Sequence, residues 1–495
     1  MTNTDFISIL PLLILTGYAC LLLLVDLLIP VSRKQWTGWL GLIGLLAAGA
    51  GMLPWPSGGS LTGFGGMIVV DGFAFFLNVI FILSGVLAIL LALNYLPRTG
   101  IERGEFYILL LFTLSGMMLM AQAADLIVVF LALELLSIPL YILSGFARPR
   151  PSSEESAMKY FLLGAFASGF LVYGIALVYG ATGATNLSAI LAAAQSGTAT
   201  TGLLLAGAAL ILVGLGFKVA AVPFHMWTPD VYEGAPSVVT AFMSVGAKAG
   251  GFAALLRVFV IAFPNLAPQW AGIAAVIAAL TMALGNFAAI AQSNIKRMLA
   301  YSSIAHAGYI LMALVAASSF KAGLTDFSVG AALFYLLAYA LTNLGTWAVV
   351  IAVERADPQS PAAPGAGGDG LALDDYAGLG WRRPGLALAM ALFMLSLTGL
   401  PPTVGFVAKF YVFRAAIDAG YLWLALVGVL TSLVSAYYYL RIVIIMYMRE
   451  GEGRALANPA LNFAVGLTAL ATFVFGLLPG PLMELATRSM LALAR

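Results

Sequence analysis

The chain reads as a succession of apolar runs separated by short polar or Gly/Pro-rich breaks. Most runs reach the ~20 residues that an α-helix needs to cross the hydrocarbon of a bilayer. On this pattern helices are predicted at about 6–29, 36–55, 72–95, 105–121, 123–147, 156–180, 203–221, 236–262, 268–291, 297–318, 328–353, 385–420, 421–448 and 461–480. The fold class expected is an all-α polytopic membrane protein of about fourteen transmembrane helices. Two of these helices are expected to be broken. The run at 203–221 passes into Pro223, Pro229 and Pro236, and the run at 385–420 is too long for one span and is cut by Gly399, Pro401 and Pro402. Because proline removes a backbone donor and obstructs helix continuation, non-helical backbone is predicted near 221–236 or within the 203–221 helix itself, and at 399–403.

Charge supplies an orientation. Retained cytoplasmic loops are enriched in Lys and Arg. The loops after odd-numbered helices hold fourteen basic residues, from Arg33 and Lys34 to Arg449 and Arg454, whereas the even-numbered loops and both tails hold Lys321, Arg488 and Arg495. Both termini are therefore expected to face away from the cytoplasm. The broken helices lie five apart in order, and an odd offset makes helices four to eight and nine to thirteen run in opposite senses. That is an inverted repeat, the plan in which transporters build ion sites on discontinuous helices. One transmembrane domain over 1–495 is expected: helices one to three at 1–104, five-helix repeats at 105–262 and 268–448, and a last helix in 461–495. Asp357 to Asp375, rich in Pro, Ala, Gly and Asp, reads as a flexible cytoplasmic loop.

Composition agrees and narrows the chemistry. Hydrophobic residues make up 62% and charged residues 9% of the 495, against ~25% charged in a soluble domain. Met1 to Leu10 holds no Lys or Arg, so the first run is expected to stay as a helix rather than be cleaved. A single cysteine, Cys20, excludes an internal disulfide and cannot by itself hold an iron–sulfur cluster. Neither a Walker-type phosphate loop nor a G-x-G-x-x-G fingerprint occurs, so redox and nucleotide chemistry is expected elsewhere.

An ionised side chain at the bilayer centre costs at least ~2.5 kcal/mol, so each one calls for an explanation. Glu134, Lys218, Lys248 and Lys409 lie within apolar runs, with Lys218 before the first break and Lys409 after the second. A structural ion pair or a snorkelling lysine accounts for one such residue; four together point to a row that carries cations. An ammonium beside a carboxylate keeps its proton, and loses it when the carboxylate withdraws into a dry interior, so a moving partner can work a lysine as a switch. The two histidines, His225 beside the first break and His306 inside a helix, are relay candidates or hydrogen-bonded structural residues. A bis-histidine haem is disfavoured by their different settings. Asp26, Asp71 and Asp125 are expected to reach interfacial water from helix ends, Arg257 and Arg414 to snorkel, and Arg441 to sit in the polar axis or near the cytoplasmic end.

The segment Phe217-Lys218-Val219-Ala220-Ala221-Val222-Pro223-Phe224-His225-Met226-Trp227-Thr228-Pro229-Asp230-Val231-Tyr232-Glu233-Gly234-Ala235-Pro236 resembles the antiporter-like subunits of respiratory complex I, and its second half is similar in wording to the N-type subunits. Asn294 to Tyr309 and Gly399 to Phe406 are similar to two further motifs of that family, and the resemblance covers essentially the whole chain. It implies that Glu134, Lys218, Lys248 and Lys409 match the family's glutamate and lysines. Lysine at 409 favours the N type over the M type, and the absence of a long lateral helix separates the chain from the L type. It further implies a proton-pumping module of an NADH:quinone oxidoreductase that itself holds no cofactor. NADH, FMN, iron–sulfur clusters and quinone would belong to partner subunits, and the neighbours would be antiporter-like subunit M, small subunits K and J, and the lateral helix of subunit L. The alternatives are a subunit of a multi-subunit cation/proton antiporter or of a membrane-bound hydrogenase, or a structural scaffold.

Overall fold

In hydrocarbon every backbone N–H and C=O must be satisfied inside the protein, and an apolar run meets that demand by closing into a helix. The computed structural model describes residues 2–56, 59–355, 369–456, 458–489 and 491. The chain is an all-α, multi-pass membrane protein. Its first half comprises α1 (Asn3–Asp26), α2 (Gln35–Ala50), a short antiparallel hairpin β1 (Leu61–Gly63) and β2 (Ile68–Val70), α3 (Gly72–Thr99), α4 (Glu105–Gln122), α5 (Leu126–Ser144), α6 (Pro151–Thr182), α7 (Leu187–Gln195), α8 (Thr201–Lys218), α9 (Trp227–Gly234), α10 (Ser237–Phe242) and α11 (Lys248–Ile261). The second half comprises α12 (Ala267–Ile290), α13 (Ile295–Ala317), α14 (Leu324–Val353), α15 (Leu379–Arg382), α16 (Pro384–Thr398), α17 (Val404–Asp418), α18 (Leu422–Met448), α19 (Pro459–Leu477) and α20 (Gly480–Arg488). A π-helical turn, Met243–Ala247, joins α10 to α11 as one span.

Among the described residues twelve helices are long and apolar enough to cross a membrane. Of the fourteen runs expected from the sequence, 36–55 corresponds to the 16-residue α2, and 385–420 to the 15-residue pair α16 and α17. Both breaks are present as interruptions of helical backbone. After α8 the chain turns through Val219 to Met226, and α9 then takes up part of the 221–236 stretch expected to be non-helical. The hairpin, α7 and α20 were not anticipated, being too short to register as apolar runs. The Asp357 to Asp375 segment lies outside the described residues up to 368. Its remainder is not loose: Ile295 and Leu373 exchange backbone bonds with Leu371 and Ser293, and Leu371 and Leu373 are buried.

The connecting segments sort onto two ends of the bundle. At one end Lys159 and Arg297 share Asp230, Arg449 pairs with Asp374, and Arg98 donates to the Ile351 carbonyl. At the other, Ile68 bridges Ala123, Asp125 bridges Asn186, and Lys321 donates to the Asp418 carbonyl. The first end carries the basic loops.

The second end contains a correction. Arg257 does not snorkel and Asp71 does not reach water: their side chains are 1% and 2% exposed and form a fork-to-fork pair, both bonds 2.9 Å. Arg257 also donates to the Ala121 carbonyl and covers the Phe73 ring, while Asp71 caps α3 through the Ala74 amide. Asp26 is likewise buried, held by Lys34 and Thr37, and Asp125 is buried as the cap of α5. A carboxylate near a helix end satisfies backbone amides better than it reaches past close-packed side chains to solvent. Arg414 is exposed and paired with Asp418, and Arg441 donates to the Gln292 carbonyl at the basic end.

Removing one partner of a buried pair leaves the other uncompensated, at about 3–5 kcal/mol. Arg257→Met and Asp71→Asn are each expected to lower the thermal unfolding midpoint of the detergent-solubilised protein, with the combined variant less destabilised than the two losses added. An unchanged midpoint in Arg257→Met would show that the pair does not hold α3, α4 and α11 together.

Candidate functional site

Four buried or half-buried ionisable groups were singled out inside apolar helices, and their surroundings differ. Lys218 ends α8 and is 5% exposed. The helix stops one residue later because Ala220 adopts a left-handed backbone, φ 62°, that lets the Ala221 amide bond back to the Gly216 carbonyl. The Lys218 Nζ donates to Ser137 Oγ of α5 at 2.8 Å and to Tyr160 OH of α6 at 3.1 Å. Tyr160 stacks flat on Trp227, centroids 4.5 Å apart, and Trp227 Nε1 donates to the Phe217 carbonyl. The break thus folds an indole over the lysine's partner. One freed amide of the break, Val222 N–H, finds Thr281 Oγ1 of α12. Gly251 lets α11 pass close by, since a Cβ there would lie 2.8 Å from Val219 and 3.3 Å from the Lys218 Cγ.

Lys248 begins α11 directly after the π turn and is 2% exposed. Its Nζ donates to the carbonyl and hydroxyl of Ser303 on α13, with the Tyr339 ring 5.7 Å away. One turn along α13, His306 has both ring nitrogens engaged: Nδ1 with Tyr335 OH at 2.7 Å and Nε2 with Tyr439 OH at 3.2 Å. A further turn along, Tyr309 presents its ring to the Lys409 Nζ at 4.7 Å. Lys409, 4% exposed on α17, donates to the Leu397 and Thr398 carbonyls at 3.0 and 2.8 Å and to Ser432 Oγ at 2.7 Å. Those carbonyls are the last of α16, which ends at Gly399 with φ 87°. The broken helix therefore aims the negative end of its dipole and two carbonyls without intrahelical partners at the ammonium, Ser432 Oγ also donating to that of Thr398.

The structure places Lys248, His306 and Lys409 along one buried face of α13, the face that carries Ser303, His306 and Tyr309. Lys218 stands at the other side of Trp227. Tyr232, 6.1 Å from Trp227 ring to ring, leads from there toward Ser303. Glu134 departs from expectation: it is half-buried at the flank of α5, accepts from Ser168 Oγ at 2.6 Å, and forms no direct ion pair with Lys218 among the described residues. It lies one helical turn from Ser137, which holds Lys218. His225 is half-exposed in the turn after α8 and is not drawn into the row. Sequence reasoning missed Tyr160, Trp227, Tyr309, Tyr335, Tyr339 and Tyr439. The signal for them was the density of tyrosines in runs otherwise apolar, which marks buried hydroxyls but not their partners.

Three comparisons place the chain. The family model described as NADH:quinone oxidoreductase/Mrp antiporter, TM, matches residues 123–435. Among curated proteins, NADH-quinone oxidoreductase subunit N of Chloroflexus aggregans is 51% identical over 490 residues, 98% of this chain and 96% of that protein. The protein of the same name from Trichlorobacter lovleyi is 46% identical over 487 residues, 97% of this chain and 96% of the other. A chain of respiratory complex I from Thermus thermophilus with bound aureothin superposes with a TM-score of 0.79 at 37% identity, covering 96% of this chain and 99% of that one. A chain of the Mrp complex from Dietzia shares the fold, TM-score 0.82, at 22% identity over 99% and 97% of the two chains. The chain accordingly belongs to the NADH:quinone oxidoreductase/Mrp antiporter transmembrane family and groups there with the NADH-quinone oxidoreductase N subunits.

Proposed function

We propose that the chain is a proton-translocating subunit in the membrane arm of an NADH:quinone oxidoreductase, and that protons move along Glu134, Lys218, Lys248, His306 and Lys409. The observation that carries this reading is the row of proton-bearing groups from Lys248 and Ser303 past His306 and its tyrosines to Tyr309 and Lys409, inside helices otherwise apolar. The likeness to N subunits at 51% identity and to a complex I chain at 37% supports it over the cation/proton antiporter reading, for which the 22% likeness carries the fold alone. NADH, FMN, iron–sulfur clusters and quinone would then sit in partner subunits. Those neighbours would be subunit M, small subunits K and J, and the lateral helix of subunit L.

In this reading each lysine holds its proton on hydroxyls and carbonyls rather than on a carboxylate, so a small shift of a helix end changes its solvation. A neutral imidazole donates from one nitrogen while accepting at the other, which suits His306, set between two hydroxyls, to pass a proton between the flanking lysines. Glu134 supplies the mobile charge. Movement of α5 against α8 that closes its gap to Lys218 fixes the ammonium, and withdrawal frees the proton to travel. The α16 carbonyls at Lys409 form the far stop. The fourteen-span count and inverted repeat belong to the same proposal, with a multi-pass arrangement in a bacterial inner membrane and periplasmic termini.

Glu134→Gln and Lys218→Met are each expected to reduce proton translocation by about a hundredfold or more, the scale of a positioned proton-transfer group, while assembly persists. The double variant should be little worse than the worse single one, as for residues acting as a unit. Wild-type translocation and coupled electron transfer in both single variants would overturn the relay.

Replacing His306 by Phe keeps ring volume and removes both hydrogen-bonding nitrogens. Proton pumping measured in vesicles should fall at least tenfold with the complex intact, whereas Tyr439→Phe, which leaves the Tyr335 partner, should lose less. Equal, wild-type rates in both would exclude His306 from the path.

A reporter fused after Arg495 is expected to be active outside the cytoplasm. Activity on the cytoplasmic side would mean a miscounted span and would remove the inverted repeat with it.

A further inference from the structure

Asn286 of α12 is fully buried, and the relay described above does not include it. Its amide engages three helices. Nδ2 donates to the Met282 carbonyl one turn back at 2.8 Å and to the Tyr309 hydroxyl of α13 at 3.1 Å, while Oδ1 accepts from the Tyr438 hydroxyl of α18 at 3.0 Å. A backbone carbonyl can only accept, so the Met282 bond fixes which end of the amide faces α13. The short side chain reaches Tyr309 because the two helices touch. A Cβ added at Gly285 would lie 2.6 Å from the Ala305 nitrogen, and one at Gly308 would lie 2.7 Å from that of Met282.

These bonds settle where the Tyr309 hydroxyl points. It accepts from Asn286, so its own proton goes elsewhere. Thr431 Oγ1 lies 3.3 Å away and directs its single proton to the Val427 and Gly428 carbonyls, at 2.8 and 3.1 Å. Thr431 is therefore the acceptor, and the Tyr309 proton points toward α18 rather than into the row. What Tyr309 presents to the row is its ring, with the centroid 5.8 Å from the His306 ring and 4.7 Å from Lys409 Nζ. Lys409 already gives its three protons to Leu397, Thr398 and Ser432. What it still gains is the electrostatic attraction of a ring face, which needs no free proton.

We infer that Asn286 is a positioning residue for proton transfer: by clamping Tyr309 and Tyr438 together it sets the ring that stands between His306 and Lys409. Tyr438 extends the clamp to the other side of the histidine. Its ring lies 4.3 Å from that of Tyr439, whose hydroxyl meets His306 Nε2 at 3.2 Å. An amide suits this task because it donates and accepts at once and does not titrate, so it orients two hydroxyls identically whatever the charge of the neighbouring lysine. Without it the Tyr309 hydroxyl loses a donor and the Tyr438 hydroxyl an acceptor, and both rings are released to seek new partners inside a dry interior. The inference rests on the proton-relay reading and deepens it.

The test uses the intact membrane complex reconstituted in vesicles, with proton translocation measured per assembled complex in light and heavy water. Asn286→Leu removes the clamp at similar volume, and Tyr309→Phe keeps the ring and removes its hydroxyl. Each should slow translocation about tenfold, the change that loss of one or two ordering hydrogen bonds gives. Each should also raise the solvent isotope effect above that of the wild type, because proton transfer past a misplaced ring becomes the slow step. The combined variant should be no slower than the slower single one, as for residues acting through one bond. A merely structural role would lower the yield of assembled complex and leave the rate and isotope effect per complex unchanged; that result in either variant overturns the inference, as does an additive loss in the combined one. Should Asn286→Leu not assemble, Tyr309→Phe decides alone by the same criteria. Lys409→Met separates this inference from the relay itself. Wild-type translocation in Lys409→Met removes the relay and the inference with it, whereas a loss there beside wild-type values in Tyr309→Phe overturns the positioning role alone.

Discussion

A polar group taken into hydrocarbon must find its partner within the protein, and the architecture of this chain answers that one constraint repeatedly. Among the buried cations, Lys218, Lys248, Arg257 and Lys409 meet it in different ways. Arg257 takes a carboxylate and becomes a fixed pair with Asp71. The three lysines take hydroxyls and carbonyls, which leave their charge exchangeable. The same bundle thus gives one cation a carboxylate and the others hydroxyls: a fork-to-fork ion pair resists change, whereas a hydroxyl can give and accept a proton.

The broken helices serve the same constraint. Ending α16 at Gly399 frees its last carbonyls, which would be a penalty in lipid, and Lys409 converts them into ligands. Ending α8 at Lys218 frees amides that Thr281 and the left-handed turn at Ala220 take up. Close helix contact then positions the row. Gly285 and Gly308 let α12 and α13 approach until an added Cβ would meet backbone at 2.6 and 2.7 Å, and Gly116 does the same for α4 against α5. With α13 seated so closely, its Ser303, His306 and Tyr309 have few rotamers left, and the row is preorganised rather than assembled on demand.

Apolar run length by itself determined the helical fold class, because a single continuous apolar segment satisfies its own backbone in hydrocarbon only as a helix, whereas barrel strands are shorter and alternate, and proline and glycine located the interruptions near Pro223 and Gly399. Lys218, Lys248 and Lys409 were legible as buried because their neighbours along the chain are apolar or small. Partnership was not legible. Asp71 and Arg257 are 186 positions apart, and nothing local distinguishes a carboxylate that reaches water from one that meets an arginine on another helix. The tyrosines around His306 come from α14 and α18, so only packing could show that they converge. Glu134 was read as a member of the buried row from the apolar run around it, but burial around a helix depends on which face the neighbours cover. Tertiary structure decided that face: Ser137, one turn on, points inward to Lys218, while Glu134 lies at the flank with Ser168. Period and composition are properties of a segment, and a charge's partner is a property of the assembled bundle.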